Sequence, residues 1–377
     1  MPSPPSPGPR ARHAGPRHAR PRRKRRPALH LGLAFLGALV LASVGLGVAS
    51  GRLTAPLAPP PRAPSAGSSA SAVAASGPRC PLSDEPAPGG VVPARPALAI
   101  KVGNNPSARP QSGLSEADIV YEEPIEGAIT RLLAVFQCHG APQVGPVRST
   151  RWIDVQLLEQ FGHPVFGFAG GIDPDEALVR DSPVVDANFL RDYDLYYRTD
   201  TRLAPNNLYV ATASLWGLDD ARTPPAPVFS FSTSLPKGLG ATPTASATLT
   251  WSSIYDVTWT WDPPAESWLR TVNGTADLET SGRQLQAANV VILRVKTVPG
   301  PYSEDAEGDV GVHSITVGEG PLTVLRNGVA IHGIWQRGSI QEPIRLLSAA
   351  GTTIPLAPGP TWVELLPVAG QLQLAGG

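Results

Sequence analysis

Apolar and polar positions along this chain change their rhythm twice. Residues 28–51 run apolar without one Asp, Glu, Lys or Arg, and as a helix that stretch is long enough to cross the roughly 30 Å hydrocarbon core of a bilayer. Between residues 97 and 216 short apolar runs alternate with helical spacing. Residues 97–102, 119–121, 130–136 and 164–168 read as buried strands. Ile153, Leu157, Leu158 and Phe161 recur at helical spacing and predict an amphipathic helix over 150–161. A second helix is expected over 173–180, where Asp173-Pro-Asp-Glu places acidic residues at the positive end of the helix dipole. Beyond residue 249 strands dominate, at 250–252, 257–261, 268–272, 290–298, 313–317, 322–325 and 361–365. Asn273-Gly274, Ser281-Gly282 and Asn327-Gly328 mark tight hairpins between several of them.

These rhythms divide the chain into a basic arm (1–27), a membrane segment (28–50), a Pro/Ala/Ser-rich tether (51–79), a mixed α/β domain (80–222), a second linker (223–248) and a β-rich domain (249–377). The tether has too few large apolar residues to offset the entropy of ordering it. No internal repeat joins the two folded blocks. The expected class is α+β: a mixed α/β N-terminal domain followed by a mostly antiparallel β domain, after a single N-terminal transmembrane helix.

Charge adds direction. Nine of the 31 Lys and Arg lie between Arg10 and Arg26, leaving 22 against 31 Asp and Glu in the remainder, a balance of −9. A basic arm before an apolar span stays cytoplasmic, so the folded part is expected outside the cell membrane. Nucleic acid is not an expected partner, because the acidic body lacks a basic field. A cleaved signal would show an apolar stretch of about 7 to 15 residues; the longer stretch here favours a retained anchor. Gly47-Val48-Ala49 leaves secretion after cleavage as the alternative. Cys80 and Cys138 are the sole cysteines, and in an oxidising compartment they form either one disulfide or two unpaired thiols.

Several segments carry a resemblance. Arg109-Pro-Gln-Ser-Gly-Leu, Ala117-Asp-Ile-Val-Tyr-Glu, Glu126-Gly with Thr130-Arg131, and Val144-Gly-Pro-Val-Arg-Ser-Thr-Arg151 occur in this order, continued by Ala169-Gly-Gly171, Ala204-Pro-Asn-Asn-Leu-Tyr209, the segment 328–335 and Pro358-Gly-Pro-Thr-Trp362. Over about residues 80–368 the chain resembles the YerB-like bacterial envelope proteins, a family of unknown function. The resemblance implies an envelope protein with an α/β N-terminal and a β C-terminal domain, and no established reaction. Many such relatives look like lipoproteins with a Cys at the end of the signal; this chain has none there.

The densest polar set lies between Arg109 and Asp154. Arg148 and Arg151, on the turn entering the helix expected from Thr150, would join its free N–H groups in holding a phosphate or carboxylate. Arg109 and Arg131 extend the set, and Asn206, Asn207 and Tyr209 are candidate polar contacts. In a structural reading Arg131 or Arg148 pairs instead with Asp118 or Glu122, and the two asparagines serve only their turn. A cell-wall hydrolase or transferase would need paired carboxylates, drawn from Glu122 or Glu123 with Asp154 or Asp173. Neighbours on a strand point to opposite faces, so Glu122 and Glu123 do not themselves converge. Ser149 lacks a nucleophile elbow. The histidines show no metal-ligand spacing, and no metal or cofactor is expected; His332 is expected to be partly buried. Trp259 and Trp261 share a strand face, as core residues or as a stacking platform for carbohydrate. The favoured expectation is a membrane-anchored envelope protein binding an anionic or glycan ligand, with the enzyme and a protein-interaction scaffold as alternatives.

Overall fold

The computed structural model describes residues 77–305 and 308–376. The basic arm, the apolar segment 28–50 and most of the tether lie outside them. Among the described residues no helix is long and apolar enough to cross a membrane.

Strands dominate. The first block contributes β1 (Leu98–Gly103), β2 (Ile119–Pro124), β3 (Thr130–Phe136), α1 (Trp152–Leu158), β4 (Val165–Phe168), α2 (Asp173–Asp181), β5 (Val185–Asn188), β6 (Tyr196–Arg198), β7 (Leu208–Val210) and α3 (Thr212–Trp216). The second contributes β8 (Thr242–Ser252), β9 (Tyr255–Asp262), β10 (Ser267–Val272), β11 (Thr275–Ala276), β12 (Gln286–Ala287), β13 (Asn289–Ser303), β14 (Val310–Ile315), β15 (Gly318–Arg326), β16 (Val329–Arg337), β17 (Arg345–Ser348), β18 (Thr361–Pro367) and β19 (Gln371–Gly376).

One mixed sheet crosses both blocks, in the spatial order β5-β4-β1-β3-β2-β18-β13-β15-β16-β17. The join is the parallel pair β2–β18, with Glu122 in register with Glu364. The second block is mostly antiparallel, as expected, with β18 running parallel to β13 as the exception. A smaller antiparallel sheet, β19-β8-β9-β10, covers one face. Strand alternation sorts the core accordingly. Val120, Val290 and Trp362 pack with Trp259 and Trp268 of the smaller sheet, while Tyr121, Val291 and Val363 face α1 through Ile153 and Leu157. Trp259 is therefore core, and its indole N–H donates to Glu364 at 2.7 Å.

Composition misplaced some boundaries. The stretch read as the second linker already contains the start of β8 at Thr242, and buries Val228, Phe229 and Leu239. Its Thr-rich sequence is compatible with a strand because β-branched residues suit a pleated surface. β13 continues through Pro299-Gly300-Pro301, residues that read as a stop, and with β14 forms a hairpin arm. His332 lies in the middle of β16 and is exposed rather than partly buried. Its side chain meets the Thr323 hydroxyl at 3.1 Å. At Asn273-Gly274 and Asn327-Gly328 both residues have positive φ, the geometry that tight hairpins need.

Candidate anion-binding site

A cavity of about 400 Å³ opens where the β2–β3 turn, the segment entering α1 and the tip of the β13–β14 arm meet; Arg131, Arg148 and Arg151 all line it. Each is placed by ordinary backbone pairing. Arg131 is the second residue of β3, opposite Glu123 of β2. The segment before α1 threads between strand ends, with the Arg148 N–H donating to Lys101 O at 2.9 Å and the Ala169 N–H to Arg148 O at 2.9 Å. Gly103 leaves room for this passage: a Cβ there would lie 2.8 Å from Arg148 Cγ.

The three guanidinium groups differ in what they already hold. Arg151 donates to both Glu126 oxygens, at 2.9 Å through Nε and more closely through Nη2, and to Thr150 O at 2.8 Å. Its Nε also lies 3.3 Å from Glu304 of the arm. Arg131 donates to Ser149 O at 3.0 Å and stands 3.6 Å from Glu126. Arg148 has no ion pair among the described residues, and its buried Nε has no hydrogen-bond partner. Burial, joined by the neighbouring charges of Arg151 and Arg148, pushes Arg131 down to about 9. Burial and the charge of Arg151 lower Arg148 as well. For Arg151 burial works downward but Glu126 outweighs it, and the net shift is upward. A desolvated like-charge cluster of this kind favours an entering anion.

The helix end plays no part in it. Asp154 accepts from the Arg151 N–H at 2.7 Å and from the Thr150 hydroxyl at 3.1 Å, so the chain's own carboxylate occupies the place where a ligand was expected. Arg109 is also elsewhere, 5.7 Å from the Tyr255 ring centroid and beside a different cavity with Asp277. Asn206, Asn207 and Tyr209 belong to the β6–β7 hairpin. Asn207 bonds Thr199 O at 3.1 Å and accepts from Arg198 at 2.7 Å, while Tyr209 is buried against Tyr197. None of these four residues lines the arginine cavity.

The candidate acid/base carboxylates do not face a cleft. Glu122 and Glu123 point to opposite sides of β2, and both are fully buried. Glu122 accepts from Arg270 at 2.6 Å, Tyr255 at 2.6 Å and Thr130 at 2.6 Å. Glu123 pairs with Lys101, which also bonds Asp154 at 2.7 Å; burial pushes this lysine down to about 8 despite Asp154. Asp173 is exposed at the start of α2. These groups are closed into salt bridges or left in solvent, so the paired-carboxylate expectation fails for them. The pair that does meet was not anticipated. Burial, then the proximity of Glu304, raises Asp175 of α2 to about 8, and burial raises Glu304 in turn. Two carboxyl groups so placed share a proton.

Arg270, Asp277 and Glu364 were likewise missed. Arg270 bridges Glu122 and Asp277 in the core, and Glu364 rises well above its ordinary value through burial and the charge of Glu122. The readable signal was an arginine on the inward side of an alternating strand, since Trp268, Arg270 and Val272 are all buried. Cys80 and Cys138 are joined in a disulfide.

The sequence matches two family models covering most of this body: "Protein of unknown function (DUF3048) N-terminal domain" over residues 82–224 and the corresponding C-terminal domain over 247–363. The chain belongs to this family. Among its relatives is YerB of Bacillus subtilis (strain 168), whose name carries the word lipoprotein; identity is 31% over 288 residues, covering 72% of this chain and 82% of that protein. The crystal structure of the Bacillus subtilis YerB protein is similar as well, with a TM-score of 0.66 at 26% identity, over 78% of this chain and 99% of the other.

Proposed function

We propose that this chain is an extracytoplasmic envelope protein, held at the membrane by residues 28–50, that binds an anionic envelope ligand through Arg131, Arg148 and Arg151. The observation carrying this reading is Arg148: a guanidinium with an unpartnered, buried Nε at a cavity wall shared with two other arginines. A phosphate or a glycan carboxylate supplies the acceptor that the protein leaves out. The lipoprotein name of a relative supports the location and is silent on the ligand.

The test titrates the full-length chain with inorganic phosphate and with glucuronate oligomers, followed by calorimetry. Saturable, salt-sensitive binding is expected, weakened about tenfold or more in Arg148→Ala, as for the loss of a charged hydrogen bond. No binding at millimolar concentration, or equal affinity in the variant, overturns the reading. A second reading, a protein-interaction scaffold, is favoured by the arm, which exposes Val298, Tyr302 and Val310.

A further inference from the structure

A second cavity, of about 440 Å³, is walled by both halves of the chain and shares no lining residue with the arginine site. Glu85, Glu116 and Asp118 enter from the first half, Glu266 and Arg283 from the second. The walls are fastened rather than merely adjacent. The Cys80 N–H donates to Glu85 O at 2.8 Å, and the disulfide ties that loop to Cys138, next to His139 of the same wall. Across the junction the Ser115 N–H donates to Glu279 at 3.1 Å, and the Thr361 N–H donates to Asp118 O at 3.0 Å.

The charges at this cavity are unbalanced. Arg283 lies 3.7 Å from Glu116, while Glu85, Asp118 and Glu266 have no ion pair among the described residues. Asp118 is the sharpest case, with 2% of its surface exposed. Its Oδ2 accepts from the Gln137 N–H at 2.6 Å. Its Oδ1 makes no hydrogen bond although the Ser83 hydroxyl stands nearby, and the Ser115 hydroxyl on the same wall is also without a partner. Burial first, and Glu85 after it, push the Asp118 carboxyl up to about 6, against Gln137, Ser83 and His139. At neutral pH the group is therefore mostly a desolvated anion, held by the Gln137 N–H but with no ion pair among the described residues, a costly state for a buried carboxylate.

We propose that this cavity binds a small ligand through an ammonium group, with Asp118 as its principal acceptor and Glu85 and Glu266 as surrounding charge. An ammonium brings the missing positive charge and three donors at once. A divalent ion fits less well, because no group of three or more ligating side chains among the described residues stands ready to hold a metal.

Amino sugars and amino-acid amines share this chemistry, and the experiment separates them. The full-length chain is titrated by calorimetry with glucosamine, with Nα-acetyl-lysine and with N-acetylglucosamine, the neutral control. Saturable binding of one of the two amines is expected, and the amine that binds identifies the source; the neutral sugar stays silent. Asp118→Asn should weaken the amine about tenfold or more, the effect of one charged hydrogen bond. Glu266→Gln, on an exposed turn, should weaken it severalfold with an unchanged melting temperature, so the test survives misfolding of the first variant. Arg148→Ala should leave it unchanged. The proposal falls if neither amine binds at millimolar concentration, if N-acetylglucosamine binds as well as glucosamine, or if the folded acidic variants keep the parent affinity.

Discussion

Two clusters in this molecule are built from the same residue types and end in opposite states. In the core, Arg270 lies between Glu122 and Asp277, with Tyr255 and Trp362 around it and no exposure at all. At the rim, Arg131 and Arg151 share Glu126, and Arg148 is left over. The core arginine is paired: although its Nε makes no hydrogen bond, it has carboxylates on two sides, and removing one partner strands the others in a medium that cannot solvate them. The rim cluster leaves Arg148 without an ion pair among the described residues, beside open space that Glu126, Glu304 and Asp305 also line. Arginine and carboxylate content does not separate structural from binding chemistry. What separates them is whether the guanidinium has its carboxylates: Arg270 has two, and Arg148 has no ion pair among the described residues.

The comparison can be broken in four ways. Arg270→Ala should have the largest effect, a loss of about 3–5 kcal/mol because Glu122 and Asp277 become uncompensated buried charges; urea unfolding reads it, and a change below about 1 kcal/mol would mean that Arg270 does not compensate those carboxylates. Arg151→Ala should cost less, about 2–3 kcal/mol, through the loss of a charged bidentate contact to Glu126. The same denaturation curve measures it, together with lost anion binding.

The third is a pH effect. Asp175 in the folded chain sits at about 8, above its ordinary value of 3.8. A raised carboxyl contributes stability that is complete below the unfolded value and is lost as pH rises through the folded one. The contact of the arm with α2 should thus loosen between about pH 4 and pH 8, with Arg151, Glu126, Arg131 and Asp154 also facing the pair. Trp152, stacked on His313 of the arm at 4.3 Å, reports this by fluorescence, with Trp152→Phe as the blank. Glu304→Gln should abolish the transition near pH 8, and a transition that persists in that variant assigns it elsewhere. The smallest effect on stability belongs to Arg148→Ala, within about 0.5 kcal/mol, while its effect on anion binding is the largest of the rim substitutions. A thermal melt beside a phosphate titration separates the two quantities.

The two clusters also differ in how far the sequence announced them. Arg131, Arg148 and Arg151 lie within a short stretch, and local strand and helix patterns were enough to bring them together. The apolar runs that became β1 to β4 and the spacing that became α1 and α2 were legible for the same reason. Arg270 stands 148 residues from Glu122, and no local period reports a pairing at that distance. β16 was hidden by Gly333 and His332 within its run, and the length of β13 by two prolines. Arg109 and Tyr209 were credited to the rim because they share its composition, yet chain topology sends one to Tyr255 and the other to the β6–β7 hairpin.

The parallel join of β2 to β18 sets a schedule. Glu122 leaves the ribosome 242 residues before Glu364, its partner in register, a wait of roughly ten to fifty seconds at about 5–20 residues per second. For all of that time one edge of β2 is unpaired and available to another chain. The first half cannot complete its sheet as it emerges, so the hazardous species in the life of this protein is the nearly finished chain, which needs either a companion to shield that edge or conditions dilute enough that no second copy arrives first.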